Sequence, residues 1–266
     1  MPGRIVGEIL AFLFKHASKA FQRKVSNVCI GLNYTGVQLD TGHLGLCATL
    51  PGELNIECCE IFDRAGSLAG NWLFDLVKLA GSWKPLEAVV GLAAVNAASQ
   101  MFFGEKTGDY WVVWGNIVNE LKVDRDDTVV MVGNIRPIAE ALKAKAGMLY
   151  ILERSPRLRE AEPYHLPDTA CEEYLPRASV AVITASTLVN GSIDRLLELT
   201  LKAREVAVVG PTTPLTPDVF FNHGVTLLGG VHVTRPEAAL RVIMEGGGTR
   251  ELKRACELVN IRPKKR

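Results

Sequence analysis

Val129-Val-Met-Val132-Gly133-Asn134-Ile135-Arg136-Pro137 is the stretch on which the reading of the fold turns. Four apolar residues, three of them β-branched, run without polar alternation into a glycine. Such a run fits a strand buried on both faces. Asn134 stands where a helix cap belongs, and Pro137 suits a first helical turn. The pattern over 135–146 then continues as a helix. The same alternation recurs to the end of the chain. Strands are predicted at Met148–Leu152, 180–183, 206–209 and 225–233, the last interrupted by Gly229-Gly230. Helices are predicted at 193–203, Pro217–Asn222, Pro236–Met244 and 250–259. Apolar strands alternating with helices imply a parallel sheet covered on both faces, so residues 123–266 read as a Rossmann-like α/β domain.

Upstream of the charged connector Lys122-Val-Asp-Arg-Asp-Asp127 the pattern differs. An amphipathic helix over 4–21 precedes strands at 25–32, 36–39 and 44–50, with Asn33-Tyr34-Thr35 as a hairpin turn and Pro51-Gly52 closing the third. Helices follow near 67–80 and 85–102, the second apolar almost all round. A meander followed by helices is an α+β arrangement, assigned to residues 1–122.

Composition narrows the function. The 30 basic and 29 acidic side chains among 266 residues leave no electrostatic footprint for nucleic acid or an anionic membrane. The basic run at 262–266 reads as a frayed, solvated tail. Cysteines at 29, 47, 58, 59, 171 and 256 form no CxxC pair and no dense framework, so buried free thiols in a reducing compartment are expected. The apolar run at 9–14 is too short for a leader, and no stretch approaches the roughly 20 apolar residues that span a bilayer. A cytoplasmic protein is expected.

In an open parallel sheet ligands bind beyond the carboxyl ends of the strands, so the informative residues follow each strand. Gly133 and Asn134 make a tight turn whose amides suit an anion, although only one glycine of the GxGxxG fingerprint is present and an ordinary turn explains it equally. Glu153, twenty residues on, stands where nucleotide-binding domains keep a ribose-binding acid; a surface ion pair with Arg154 or Arg157 is the plainer account. Thr184-Ala-Ser-Thr-Leu-Val-Asn190-Gly191-Ser192 holds more hydroxyls and amides than one helix cap requires, leaving Ser186, Thr187 and Asn190 as ligand groups. Gly210-Pro211-Thr212-Thr213-Pro214 is a stiff turn presenting two hydroxyls to the crevice, and the prolines reduce the entropic cost of holding it ready. These loops are expected to line one pocket with Asn134 and residues of the first domain.

His223 at a helix end, His232 within a strand and the His43/Cys47 pair do not make a metal motif, and HExxH and CxxC are absent. Gly246-Gly247-Gly248-Thr249 is explained as a helix end followed by a cap.

Gly133-Asn-Ile-Arg-Pro-Ile, Thr187-Leu-Val-Asn-Gly-Ser and above all Gly210-Pro-Thr-Thr-Pro-Leu-Thr-Pro, followed by His223-Gly-Val-Thr-Leu-Leu-Gly-Gly, resemble the prokaryotic "putative heavy-metal chelation" family. Gly91-Leu-Ala-Ala-Val-Asn96-Ala-Ala resembles that family's first-domain helix, so the likeness covers nearly the whole chain. The resemblance implies a small domain like the N-terminal domain of enolase, then a Rossmann-like domain, with an active site in the cleft between them. It also implies that Asn96 faces that cleft.

Three functions compete. The first is small-molecule or metal-chelate binding in an interdomain cleft, serving heavy-metal handling or chelator metabolism. The second is a nucleotide- or S-adenosylmethionine-dependent enzyme, motivated by Gly133 and Glu153. The third is a non-catalytic ligand or metal carrier, motivated by the lack of any nucleophile–base or paired-acid motif. The sequence leaves the cofactor open between a metal ion or metal chelate and, as the alternative, a nucleotide. A homodimer is the expected assembly on general grounds of symmetry.

Overall fold

The computed structural model describes residues 3–54, 62–159 and 164–264. After helix α1 (Arg4–His16), strands β1 (Val25–Ile30), β2 (Tyr34–Leu39) and β3 (Leu44–Ala48) form a three-stranded antiparallel meander. Tyr34 already belongs to β2, so the turn lies just before it rather than on it. Helices α2 (Leu73–Val77) and α3 (Pro85–Lys106) complete the small domain. Pro85 sits in the first turn of α3, where its missing N–H costs nothing. Gly45 allows β3 to lie directly on α3, because a Cβ there would come within 2.1 Å of Ala93 O and Ala97 N.

Against the expectation that no stretch approaches the length of a membrane span, among the described residues one helix, Pro85–Asp109, is long and apolar enough to cross a membrane, and 89% of its most apolar window is buried inside the protein. It is the central helix of a continuous core. Val89, Leu92, Val95 and Phe102 share one buried apolar cluster with Ile5 and Ile9 of α1 and Val130 and Ile183 of the second domain.

The second domain contains β5 (Thr128–Val132), α4 (Arg136–Lys143), β6 (Met148–Leu152), β7 (His165–Leu166), α5 (Cys171–Tyr174), β8 (Val180–Thr184), α6 (Ile193–Leu199), β9 (Glu205–Val209), α7 (Pro217–Asn222), β10 (Leu227–Val233), α8 (Pro236–Met244), α9 (Thr249–Leu252) and β11 (Cys256–Arg262). Together with β4 (Trp111–Trp114) its strands make an eight-stranded sheet in the order β4-β11-β10-β9-β8-β5-β6-β7. From β7 through β10 every pairing is parallel. Counted in chain order, those six strands run 3-2-1-4-5-6, the doubly wound arrangement. The expected two-domain α/β fold is therefore present.

The pleat distributes β5 between two layers: Val129 and Met131 pack with Ile138 and Leu142 of α4, while Val130 and Val132 pack with Ile193 and Leu197 of α6.

Two expectations are corrected at the end of the sheet. The segment predicted as helix over 250–259 forms only the short α9 and then the strand β11, antiparallel to β10. Its apolar positions satisfy both periods, and the open edge of β10 decides between them. Trp111–Trp114, not assigned from sequence, adds antiparallel to β11. Arg262 is thus part of a strand rather than of a solvated tail. Its guanidinium pairs with buried Glu205 and donates to Glu120 O.

Candidate functional site

The strand order reverses between β5 and β8, and the chain leaving each strand turns to opposite faces there. This opens a crevice at the carboxyl edge. A cavity of about 380 Å³ occupies that position, lined on the β5 side by Gly133, Asn134 and Ile135 and on the β8 side by Thr184, Ser186 and Thr187. Glu153 and Arg154 after β6, Asp168 and Cys171 after β7, and Leu50 and Glu53 from the small domain close it.

Gly133 is required twice over. Its φ is +87°, and a Cβ would stand 2.7 Å from Thr184 Cγ2. The turn it makes uses its own amides: Gly133 N donates to Leu152 O (2.8 Å) and Ile135 N to Gly133 O (3.0 Å). Asn134 N donates to Glu153 Oε2 at 2.7 Å, and Ser155 N donates to Glu153 Oε1 at 2.8 Å. Glu153 is therefore turned into the crevice and buried beneath the glycine turn, and its carboxylate takes the amide that would greet an anion. The Asn134 side chain donates to Leu158 O (2.8 Å).

Across the crevice Thr184 Oγ1 and Ser186 Oγ share a hydrogen bond of 3.0 Å, and Thr187 Oγ1 donates to Thr184 O (2.6 Å). Arg154 spans the mouth, donating from Nη1 to Glu53 Oε1 (2.9 Å) and from Nε to Asp168 Oδ2 (2.7 Å). The Asp168 and Glu53 carboxylates raise its already high pKa, so it is a fixed cation. Asn190 Nδ2 reaches Glu53 Oε1 at 3.3 Å. Burial pushes the Cys171 thiol up from its ordinary value, which leaves it a poor nucleophile at neutral pH.

The proline loop lies elsewhere. Gly210 and Pro211 line a smaller cavity of about 190 Å³ with Tyr34, Thr249 and Lys253; it shares only Ile135 and Thr184 with the first. The expectation of a single pocket is corrected accordingly. Nor do the two threonines project free hydroxyls into the crevice. Thr212 Oγ1 accepts from Ala48 N (2.9 Å) and Thr213 Oγ1 donates to Gly229 O (2.8 Å). Asn96 Nδ2 donates to Leu46 O (2.6 Å) and to Thr212 O (2.8 Å). One turn along α3, Ser99 Oγ accepts from Leu215 N (3.1 Å), and Gln100 bonds Val231 O and Val233 N. The polar residues of an otherwise apolar helix thus fasten the two domains by their backbones.

Among the described residues no group of three or more His, Cys, Asp or Glu side chains is arranged to hold a metal ion. His223 meets Glu8 at 2.6 Å, His232 meets Gln100 at 3.1 Å, and His43 meets Thr41 at 2.9 Å. Cys58 and Cys59 lie outside the described residues; Cys29, Cys47, Cys171 and Cys256 are free thiols. Gly248 N donates to Glu251 at 3.1 Å, so the glycine run near 246–249 is a helix start with Gly248, not Thr249, at the cap.

Sequence reasoning did not place Glu53, Arg154, Asp168 and Cys171 at this cavity. Arg154 had a positional signal, directly behind Glu153 at a strand end. Asp168 follows β7, which at two residues is too short to leave a pattern. Glu53 arrives from the other domain with no local signal.

Models of two families, each described as "Putative heavy-metal chelation", match residues 15–99 and 116–262. An uncharacterised protein of Methanocaldococcus jannaschii is 30% identical over 171 residues, 63% of this chain, and the match spans 63% of that relative's own length. A crystal structure of a protein with unknown function from the DUF364 family of Desulfitobacterium hafniense is similar with TM-score 0.78 and 26% identity, over 97% of this chain and 98% of that one. A second, from Pyrococcus horikoshii, gives TM-score 0.78 and 27% identity over 96% and 99%.

Proposed function

This chain belongs to the family described as "putative heavy-metal chelation", and from that premise we propose that it binds a small molecule or metal chelate at the strand-order reversal between β5 and β8. In this reading the chain works as two units meeting at residues 122–123, the earlier lending Trp111–Trp114 to the edge of the later one's sheet. Gly133, Asn134, Glu153, Ser186, Thr187 and Asn190 are the ligand-facing residues, with Glu53 and Arg154 at the mouth.

The observation that carries the reading is the coincidence of the cavity with the switch point. At about 380 Å³ it falls within the size range of small-molecule sites, and both domains wall it. In this reading a metal enters as cargo already chelated. The test is calorimetric titration of candidate chelators and their metal complexes, with and without Ser186→Trp, which fills the cavity. Loss of binding in the variant supports the reading; binding that ignores the substitution overturns it.

One observation favours a second reading, a nucleoside-dependent enzyme. Glu153 stands under the glycine turn as a ribose-binding acid would. Against a phosphate-bearing cofactor stand the turn's amides, which are already bonded within the protein.

A further inference from the structure

The chemistry of the cavity lining goes beyond its position. Four positions that could cradle phosphate at the first turn of a doubly wound domain offer it no free amide here. The Gly133 and Ile135 amides bond backbone carbonyls, the Asn134 amide bonds Glu153, and Pro137 has no amide to offer. The first turn of α4 therefore presents little to an anion.

The charges point the same way. Among the described residues, Glu53, Glu153 and Asp168 line the cavity against one guanidinium, that of Arg154, which is engaged by Glu53 and Asp168. A carboxylate has about four lone-pair sites. Each oxygen of Glu153 accepts one backbone N–H, so acceptor capacity remains on both. On the donor side, Asn134 Nδ2 gives one of its two N–H groups to Leu158 O, and the Thr184 and Ser186 hydroxyls share one hydrogen bond. Among the described residues the lining therefore carries an excess of negative charge. A ligand that fills the cavity must complement that charge, because a carboxylate taken out of water without a partner is costly.

Resting on the reading of this cavity as the ligand site, we propose that its ligand is an organic cation that carries a primary ammonium group and no phosphate. Two sources share that chemistry, a polyamine and a sulfonium nucleoside. The ammonium lies among Glu153, Glu53 and Asp168. Arg154 sets the charge limit by neutralising part of the acidic mouth.

The sign of the Arg154 effect makes the test sharp. Titration calorimetry on the full chain compares spermidine, S-adenosylmethionine, ATP and Ni²⁺ alone. The expected result is binding of spermidine or S-adenosylmethionine, whichever of the two sources is correct. That binding weakens roughly tenfold in Glu153→Gln and in Asp168→Asn, and weakens with added salt. It holds or strengthens in Arg154→Gln, since removing the guanidinium makes the mouth more acidic. Asp168→Asn guards against misfolding of the Glu153 variant. Failure of both cations to bind overturns the inference, as does weaker cation binding in Arg154→Gln. ATP or Ni²⁺ binding that is abolished by Ser186→Trp, or by Asn190→Trp at the exposed rim, keeps the cavity as the site and overturns the cation. If no probe responds to either cavity-filling variant, the cavity reading falls with it.

Discussion

Two loops leave the same edge of the eight-stranded sheet and look alike in composition. One follows β8 and carries Thr184, Ser186, Thr187 and Asn190; the other follows β9 and carries Thr212, Thr213 and Thr216 between prolines. Both are rich in small polar groups. In the second loop Thr212 and Thr213 are fully engaged, the first by Ala48 N and the second by Gly229 O, while Asn96 of α3 grips the Thr212 carbonyl. In the first loop the Ser186 hydroxyl, among the described residues, bonds its neighbour Thr184, and Asn190 reaches across to Glu53, so these groups remain at the wall of a cavity. The difference teaches that polar content marks a place where hydrogen bonds are made, and the partner decides whether the loop is a joint or a site. The proline loop is a joint: its stiffness fixes where α3 and β3 dock.

The largest effect that tests this contrast belongs to Asn96→Leu. It removes the donor for two buried carbonyls, Leu46 O and Thr212 O. Because Asn96 Oδ1 is itself buried without a partner, part of the loss is recovered. Urea unfolding should show a stability loss of about 2–4 kcal/mol, with affinity per folded molecule unchanged. A loss in binding with intact stability would make α3 part of the site after all.

Thr212→Val comes next. It leaves Ala48 N–H unsatisfied and should cost about 1–3 kcal/mol. For a chain of this size each kcal/mol lowers the melting temperature by about 2–4 °C. A variant that melts normally but binds poorly would reverse the roles of the two loops.

Acidification should loosen the joint more gently. Burial pushes the imidazoles of His232 and His43 below their ordinary values, and His232 bonds Gln100 on the fastening face of α3. The folded state then holds fewer protons than the unfolded one. Their contribution to stability is full above the unfolded pKa near 6.5 and is lost as pH falls through the lowered folded values. Urea midpoints measured from pH 7.5 to about 5.5 should decline by less than the Thr212→Val effect, and His232→Gln should flatten that decline. A midpoint that rises on acidification contradicts the assignment.

The smallest stability effect is expected at the cavity wall. Ser186→Ala loses one hydroxyl contact at 3.0 Å and should change unfolding free energy by no more than about 0.5 kcal/mol. Ligand binding, measured by titration, should respond more than melting does. If Ser186→Ala destabilises as much as Thr212→Val, the first loop is a second joint and the contrast disappears.

Much of the architecture was legible before any coordinates. The continuous apolar run of β5, the boundaries of β6, and the helices α7 and α8 all follow from local pattern and from the prolines that open those helices. The strand that closes the chain was not legible. Cys256-Glu-Leu-Val-Asn-Ile-Arg262 carries apolar residues at spacings that suit a helix or a strand, and its seven residues become a strand where β10 offers an unpaired edge. For Glu153 the position after β6 was readable, whereas the amide it accepts was not.

The sequence by itself determined the two-domain α/β fold, the parallel pairing of its central strands and the polar loops at their carboxyl edge. These depend on side-chain periodicity and on the short turns that follow each strand, interactions among near neighbours. Only the tertiary structure decided which polar groups on that edge are free. Ala48 and Thr212 lie 164 residues apart, Asn96 and Thr212 lie 116 apart, and Glu53 and Arg154 lie 101 apart. A hydrogen bond forms within about 3 Å whatever the separation along the chain, so the partner of each polar atom is set only once the domains have docked.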